Sequence, residues 1–215
     1  MIVAGNTATG SDSAEGGGIQ VTARTLTLEH SAVTGNRAVG VPGSLGKAGG
    51  GSAGSGGVAE GGGVFASGAN LVLSSATVAD NLPSGGAGGA GGAGGTGPGG
   101  AGGSGGAAVG AGIYVQGVTR SVSITHSTVS GNVARSGSGG VGGSSIGSVG
   151  GQGGGPVFTS PAGVSGGGGG VFDLNSGPTG SSAKLTITAS VIANNKAIDG
   201  AGASGGGRNQ RRYGR

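Results

Sequence analysis

The stretch EGGGIQVTARTLTLEHSAVTGNRAVG (Glu15 to Gly40) comes back in altered form along the whole chain. It returns as EGGGVFASGANLVLSSATVADNLPSGG (Glu60 to Gly86), as GAGIYVQGVTRSVSITHSTVSGNVARSG (Gly110 to Gly137) and as GGGVFDLNSGPTGSSAKLTITASVIANNKAIDG (Gly168 to Gly200). The shared frame is a Gly-rich corner, a β-branched residue, a short turn and an L-x-L or V-x-I pair. Ser or Thr with Val or Ile follows, and an Asn closes the unit. A repeat this short cannot bury its own apolar face, but stacked on copies of itself it can.

Each unit carries three strand signals. The first is Ile19 with Val21, Val64, Ile113 with Val115, and Val171; the second is Leu26/Leu28, Leu71/Leu73, Val122/Ile124 and Leu185/Ile187; the third is Val3, Val33, Val78, Val129 and Ile192. Alternation within each sends one set of residues inward, as a half-buried strand requires. No apolar stripe of helical period is long enough to make a helix. The expectation is an all-β solenoid of about four coils. Like strands lie parallel in three sheets, and each inward residue sits on its equivalent one coil away.

The closing asparagines, Asn6, Asn36, Asn81, Asn132 and Asn195, hold one register. A primary amide both donates and accepts, so a stacked row can form a hydrogen-bonded ladder. Asn also tolerates the left-handed backbone of sharp turns. The role predicted for the row is structural.

GGGI, GGGV and GAGI at the start of the units, with VTGN, VADN, VSGN and IANN at their ends, resemble the GGA(I/V)…FxxN repeats of polymorphic outer-membrane proteins. These are right-handed parallel β-helix proteins, exported bacterial surface proteins and often autotransporter passengers. The resemblance covers about half of the 215 residues, and Val or Ile stands here where that family prefers Phe. It implies a right-handed coil and a place outside the cell or on its surface. The implied work is structural or adhesive, with glycans or other surface proteins as partners.

The spacing between asparagines grows from 30 to 45, 51 and 63 residues. The excess always enters between the Asn turn and the next Gly-Gly corner, at about 41–58, 84–109 and 139–166. One domain is therefore expected over 1–200, with coil frames at about 15–40, 60–86, 110–137 and 168–200. Insertions at one register emerge on one flank of a solenoid. Gly makes up 63 of the residues and recurs at every third position from Gly85 to Gly106. That period suits extended, polyproline-II-like legs whose backbone groups bond to neighbouring legs. The same composition suits mobile linkers, and the sequence leaves both open. Collagen would need far more Pro than the 6 present.

Chemistry has few candidates. The chain has seven acids, two histidines and no cysteine, which excludes disulfides and thiolate metal sites. Glu15 and Glu60 share a register just before their glycine corners. A stacked carboxylate pair is what a retaining glycosidase uses, and parallel β-helices include polysaccharide-degrading enzymes. No aromatic platform or basic cluster accompanies the pair in the sequence frame, so it reads as a solvated edge or a weak cation site. No enzyme activity, cofactor or metal is expected. A carbohydrate-active fragment and an ice- or surface-binding solenoid are the alternatives. The latter would need a regular Thr face, and Thr25, Thr27, Thr186 and Thr188 are interrupted by Asn70, Val72, Ser121 and Ser123. His30 and His126 read as turn residues.

Four of the eleven basic residues lie in the closing RNQRRYGR, leaving seven basic against seven acidic in the body. The high isoelectric point belongs to that tail, expected at 201–215 to be Gly/Arg-rich and disordered. No aromatic–basic interleaving supports nucleic-acid binding. No membrane-spanning run or signal peptide is legible. The first residues begin inside the third strand of a coil, from which neighbouring coils of a longer chain are expected.

Overall fold

The computed structural model describes residues 1–117, 121–155, 167–174 and 184–209. Among them every regular element is a β-strand and every strand pairing is parallel. The strands stack in layers, the arrangement of a parallel β-solenoid. The first sheet holds Ile19–Thr22, Val64–Ser67, Ile113–Gln116 and Val171–Leu174. The second holds Thr25–Glu29, Asn70–Ser74, Ser121–Thr125 and Lys184–Thr188. The third begins with Ile2–Ala4 and continues through Ala32–Thr34, Thr77–Ala79, Thr128–Ser130 and Val191–Ala193.

Two further sheets correct the expectation of three. After each ladder Asn the chain runs on as a strand: Thr7–Gly10, Arg37–Gly40, Leu82–Ser84, Val133–Arg135 and Lys196–Ile198 form a fourth sheet. Ser13–Glu15, Val58–Glu60 and Ala108–Val109 form a fifth. Their inward residues are mostly alanine, with Ala14 on Ala59 and Ala38 between Ala8 and Pro83. Such small side chains carry little hydrophobic signal, so the alternation was not visible in the sequence.

Register fixes the core. Leu26, Leu71, Val122 and Leu185 stack in one column, and Leu28, Leu73, Ile124 and Ile187 in the next. Val3, Val33, Val78, Val129 and Ile192 make the column of the third sheet. The middle rows are closed to solvent, whereas Leu185 is 44% and Ile187 45% exposed in the last coil. Burying such a side chain contributes roughly 1.5–3 kcal/mol, and here that gain depends on a coil lying above and below.

The corners are left-handed at a fixed register. Gly5, Gly35, Asp80, Gly131 and Asn194 all have positive φ, and each precedes its ladder asparagine. The ladder residues themselves are not in that conformation, contrary to the sequence expectation. His30, Ser75, His126 and Ala189 take positive φ at the preceding corner, which places both histidines in turns.

The glycine insertions hydrogen-bond to one another along their described lengths. Gly43, Gly46 and Gly49 donate to Ala87, Ala90 and Ala93, and Gly88, Gly91 and Gly94 to Ser138, Val141 and Ser144. Gly86, Gly89 and Gly92 donate to the returning run at Gly57, Gly54 and Gly51. Gly100, Gly103 and Gly106 donate back to Gly92, Gly89 and Gly86. These bonds recur every third residue, the period read from the sequence. A Cβ added at Gly89, Gly103 or Gly140 would fall well inside the 3.0 Å that real Cβ atoms do not cross, so the close approach requires glycine.

The same array reaches beyond residue 200. Gly139 and Gly142 donate to Ala201 and Ser204, Gly206 donates to Gly151, and Arg208–Asn209 pairs with Ser145–Ile146. Residues 201–209 are thus an ordered run rather than the disordered tail expected. Residues 210–215, with three of the four tail arginines, lie outside the described residues.

Candidate functional site

The asparagine row is a continuous chain of amide bonds. Asn6 Nδ2 donates to Asn36 Oδ1 at 3.0 Å, Asn36 Nδ2 to Asn81 Oδ1 at 3.0 Å, Asn81 Nδ2 to Asn132 Oδ1 at 2.9 Å, and Asn132 Nδ2 to Asn195 Oδ1 at 2.9 Å. Each acceptor oxygen also takes the backbone N–H of the preceding asparagine. The second Nδ2 hydrogen of Asn36, Asn81, Asn132 and Asn195 goes to the carbonyl of Val3, Val33, Val78 and Val129. In the middle rungs, therefore, the side-chain amide is fully used inside a dry corner. This leaves it no capacity for a ligand.

A second row was missed in the sequence. Ser31, Ser127 and Ser190 follow the His/Ala corner, and each hydroxyl donates to the carbonyl two residues back. Ser127 Oγ accepts from Ala76 N–H, and Ser190 Oγ from Ser127 N–H. The signal was present as "HS", "SA", "HS" and "AS" at one offset from the asparagine.

Glu15 and Glu60 do stand opposite each other in the fifth sheet, but Glu60 is not a solvated edge. It is only 3% exposed, and its Oε1 has no hydrogen-bond partner. Glu15 is partly exposed, and its Oε2 accepts from Gln20 Nε2 at 2.7 Å. Burial, and then the Glu15 charge, push the Glu60 carboxyl up to about 7. Ser13 Oγ, on the same strand as Glu15, is also buried without a partner.

An aromatic column runs beside this corner. Gln20, Phe65, Tyr114 and Phe172 share a register on the first sheet. The Phe65 and Tyr114 rings lie 5.5 Å apart, as do Tyr114 and Phe172, the latter pair stacked. Burial first, then Glu60 and Glu15, raise the Tyr114 hydroxyl above the ordinary tyrosine value. This column corrects the expectation that no aromatic accompanies the carboxylates. The signal was the residue after each first β-branched position, in GVF, GIY and GVF. Phe65 and Tyr114 are each 1% exposed, so the rings form packing rather than an open platform for a sugar ring.

Among the described residues no cluster of three or more His, Asp or Glu could hold a metal ion. Among the described residues no helix is long and apolar enough to cross a membrane. No protein-family model matches the chain, and no curated protein or solved structure matches it.

Proposed function

We propose that this chain is a right-handed β-helix segment of about four coils, bearing polyglycine-like legs on one flank. Its work is structural or adhesive, as in an exported cell-surface repeat protein, and it performs no chemistry of its own. The observation that carries the reading is how the polar side chains in its middle coils are spent. The asparagine and serine rows go into coil-to-coil bonding, leaving scaffold rather than reactive groups. The inserted legs give that scaffold an outer face. Leu45, Ala87, Ala93, Ser138, Val141 and Ser204 are exposed there, small or apolar, beside the exposed charge of Lys47. A hydrogen-bonded face with so little charge suits contact with glycans or other surface proteins through shape and apolar area.

The test is binding of the labelled chain to a panel of immobilised polysaccharides, alongside an assay for release of sugar products. The expected result is binding weakened by the double substitution Leu45→Asp/Val141→Asp and no product. Product release abolished by Glu60→Gln would replace this reading with the carbohydrate-active alternative, whose sole support is the carboxylate pair. The buried rings beside that pair argue against it.

A further inference from the structure

The corner where the fifth sheet turns into the first holds a buried carboxyl that the scaffold reading does not use. Glu60 lies across the parallel register from Glu15, a layer spacing of about 4.8 Å between backbones. Two carboxylates so placed cannot both ionise cheaply when one is out of water. The hydrogen bonds separate their roles. Glu15 is partly exposed and accepts an amide N–H from Gln20. Glu60 Oε1 accepts nothing, which suits a carboxyl that keeps its proton.

The neighbours offer no compensating charge. Tyr114 is the other titratable group at the corner, and Phe65 and Phe172 stack with it. The strands packed behind contribute Thr7–Gly10, Leu82–Ser84 and Ala108–Val109, all without charge, and Arg37–Gly40, whose Arg37 is exposed. Among the described residues neither glutamate forms an ion pair.

We propose that the buried, unpartnered Glu60 carboxyl opposite Glu15 keeps its proton, and that loss of this proton loosens the stacking of the glycine corners on either side of it. The backbone bonds exposed to that repulsion are Gly16 N–H to the Glu60 carbonyl, Gly17 N–H to Gly61 and Gly61 N–H to Val109, each 3.0 Å. The second sheet, with Leu71 and Leu73, lies away from this corner, whereas the Asn36 and Asn81 amides pack against Gly18 and Gly63. The device is a pH-sensitive joint in an otherwise static stack.

The experiment is a carboxyl-carbon NMR titration of the glutamate-labelled chain, with hydrogen exchange read as protection factors at about pH 6 and pH 8. One glutamate resonance, missing in Glu60→Gln, is expected to titrate near neutrality. Protection of Gly16, Gly17 and Gly61 is expected to fall about tenfold between the two pH values, while that of Leu71 and Leu73 in the second sheet holds. Glu15→Gln is expected to bring the Glu60 midpoint down. A Glu60 midpoint below about 5, or unchanged protection at the corner, overturns the proposal. Both readouts exist in the unmodified chain, so a variant that fails to fold does not remove the test.

Discussion

Replacing Gly103 with alanine tests whether the glycine runs are packed against one another or merely tethered. Gly103 is buried; its N–H donates to Gly89 at 2.9 Å, and its carbonyl accepts from Gly140 at 2.7 Å. A Cβ at this position would collide with the Gly54 carbonyl of the run opposite. That carbonyl is itself bonded to Gly89 N–H at 3.0 Å. The runs must separate by an ångström or so, which strains or breaks these three bonds. At roughly 0.5–1.5 kcal/mol each, the expected cost is about 2–4 kcal/mol. Gly97→Ala is the matched control: a Cβ there meets only the Gly94 carbonyl, at 3.4 Å, and should be neutral or slightly stabilising. Hydrogen exchange of peptides spanning 86–106 reads the difference directly, because about 3 kcal/mol of local stability is more than a hundredfold in protection. Equal exchange in the two variants and the parent would refute the packed array and leave mobile linkers.

Asn81→Ala should cost about 3–5 kcal/mol in chemical denaturation, since it removes the acceptor of the Asn36 side-chain amide and backbone N–H and the donor to the Val33 carbonyl in a dry corner. Leu73→Ala should cost about 2–5 kcal/mol, whereas Leu185→Ala, at a half-open position, should cost less than about 1.5 kcal/mol by the same measurement. Unfolding free energy should fall as pH rises. The Glu60 carboxyl moves from its ordinary 4.5 to about 7 on folding, so the folded state binds the extra proton between those values. The stabilisation is whole below pH 4.5 and gone above about 7. The shift corresponds to a stabilisation on the order of 3 kcal/mol. Glu60→Gln should flatten that slope, and a slope unchanged in the variant would contradict the assignment.

The three inward columns were legible because Val, Ile and Leu alternate with polar residues, and the repeat made their register unambiguous. The fourth and fifth sheets were not, because alanine at Ala14, Ala38, Ala59 and Ala134 fills a narrow end of the core without a hydrophobic signal. The carboxylate pair was found by register but misjudged. A strand's sequence says which residues face away from the core; it does not say whether a neighbouring aromatic column then covers them. The ordered run at 201–209 was missed because a third-residue glycine period is too brief there to stand out from composition.

The asparagine ladder has a direction. From Asn6 to Asn132 each amide passes one hydrogen to the oxygen of the next asparagine, always toward higher residue number, so the amide-to-amide bonds of successive coils add instead of cancelling. Each bond polarises the next, and the column behaves as a wire with an arrow along the axis. The value of a rung then depends on its position. Cutting at Asn81 divides one polarised column into two short ones, whereas a change at Asn195 only trims its end. Identical substitutions at chemically identical rungs are therefore unequal, and the inequality measures how far polarisation travels along the stack.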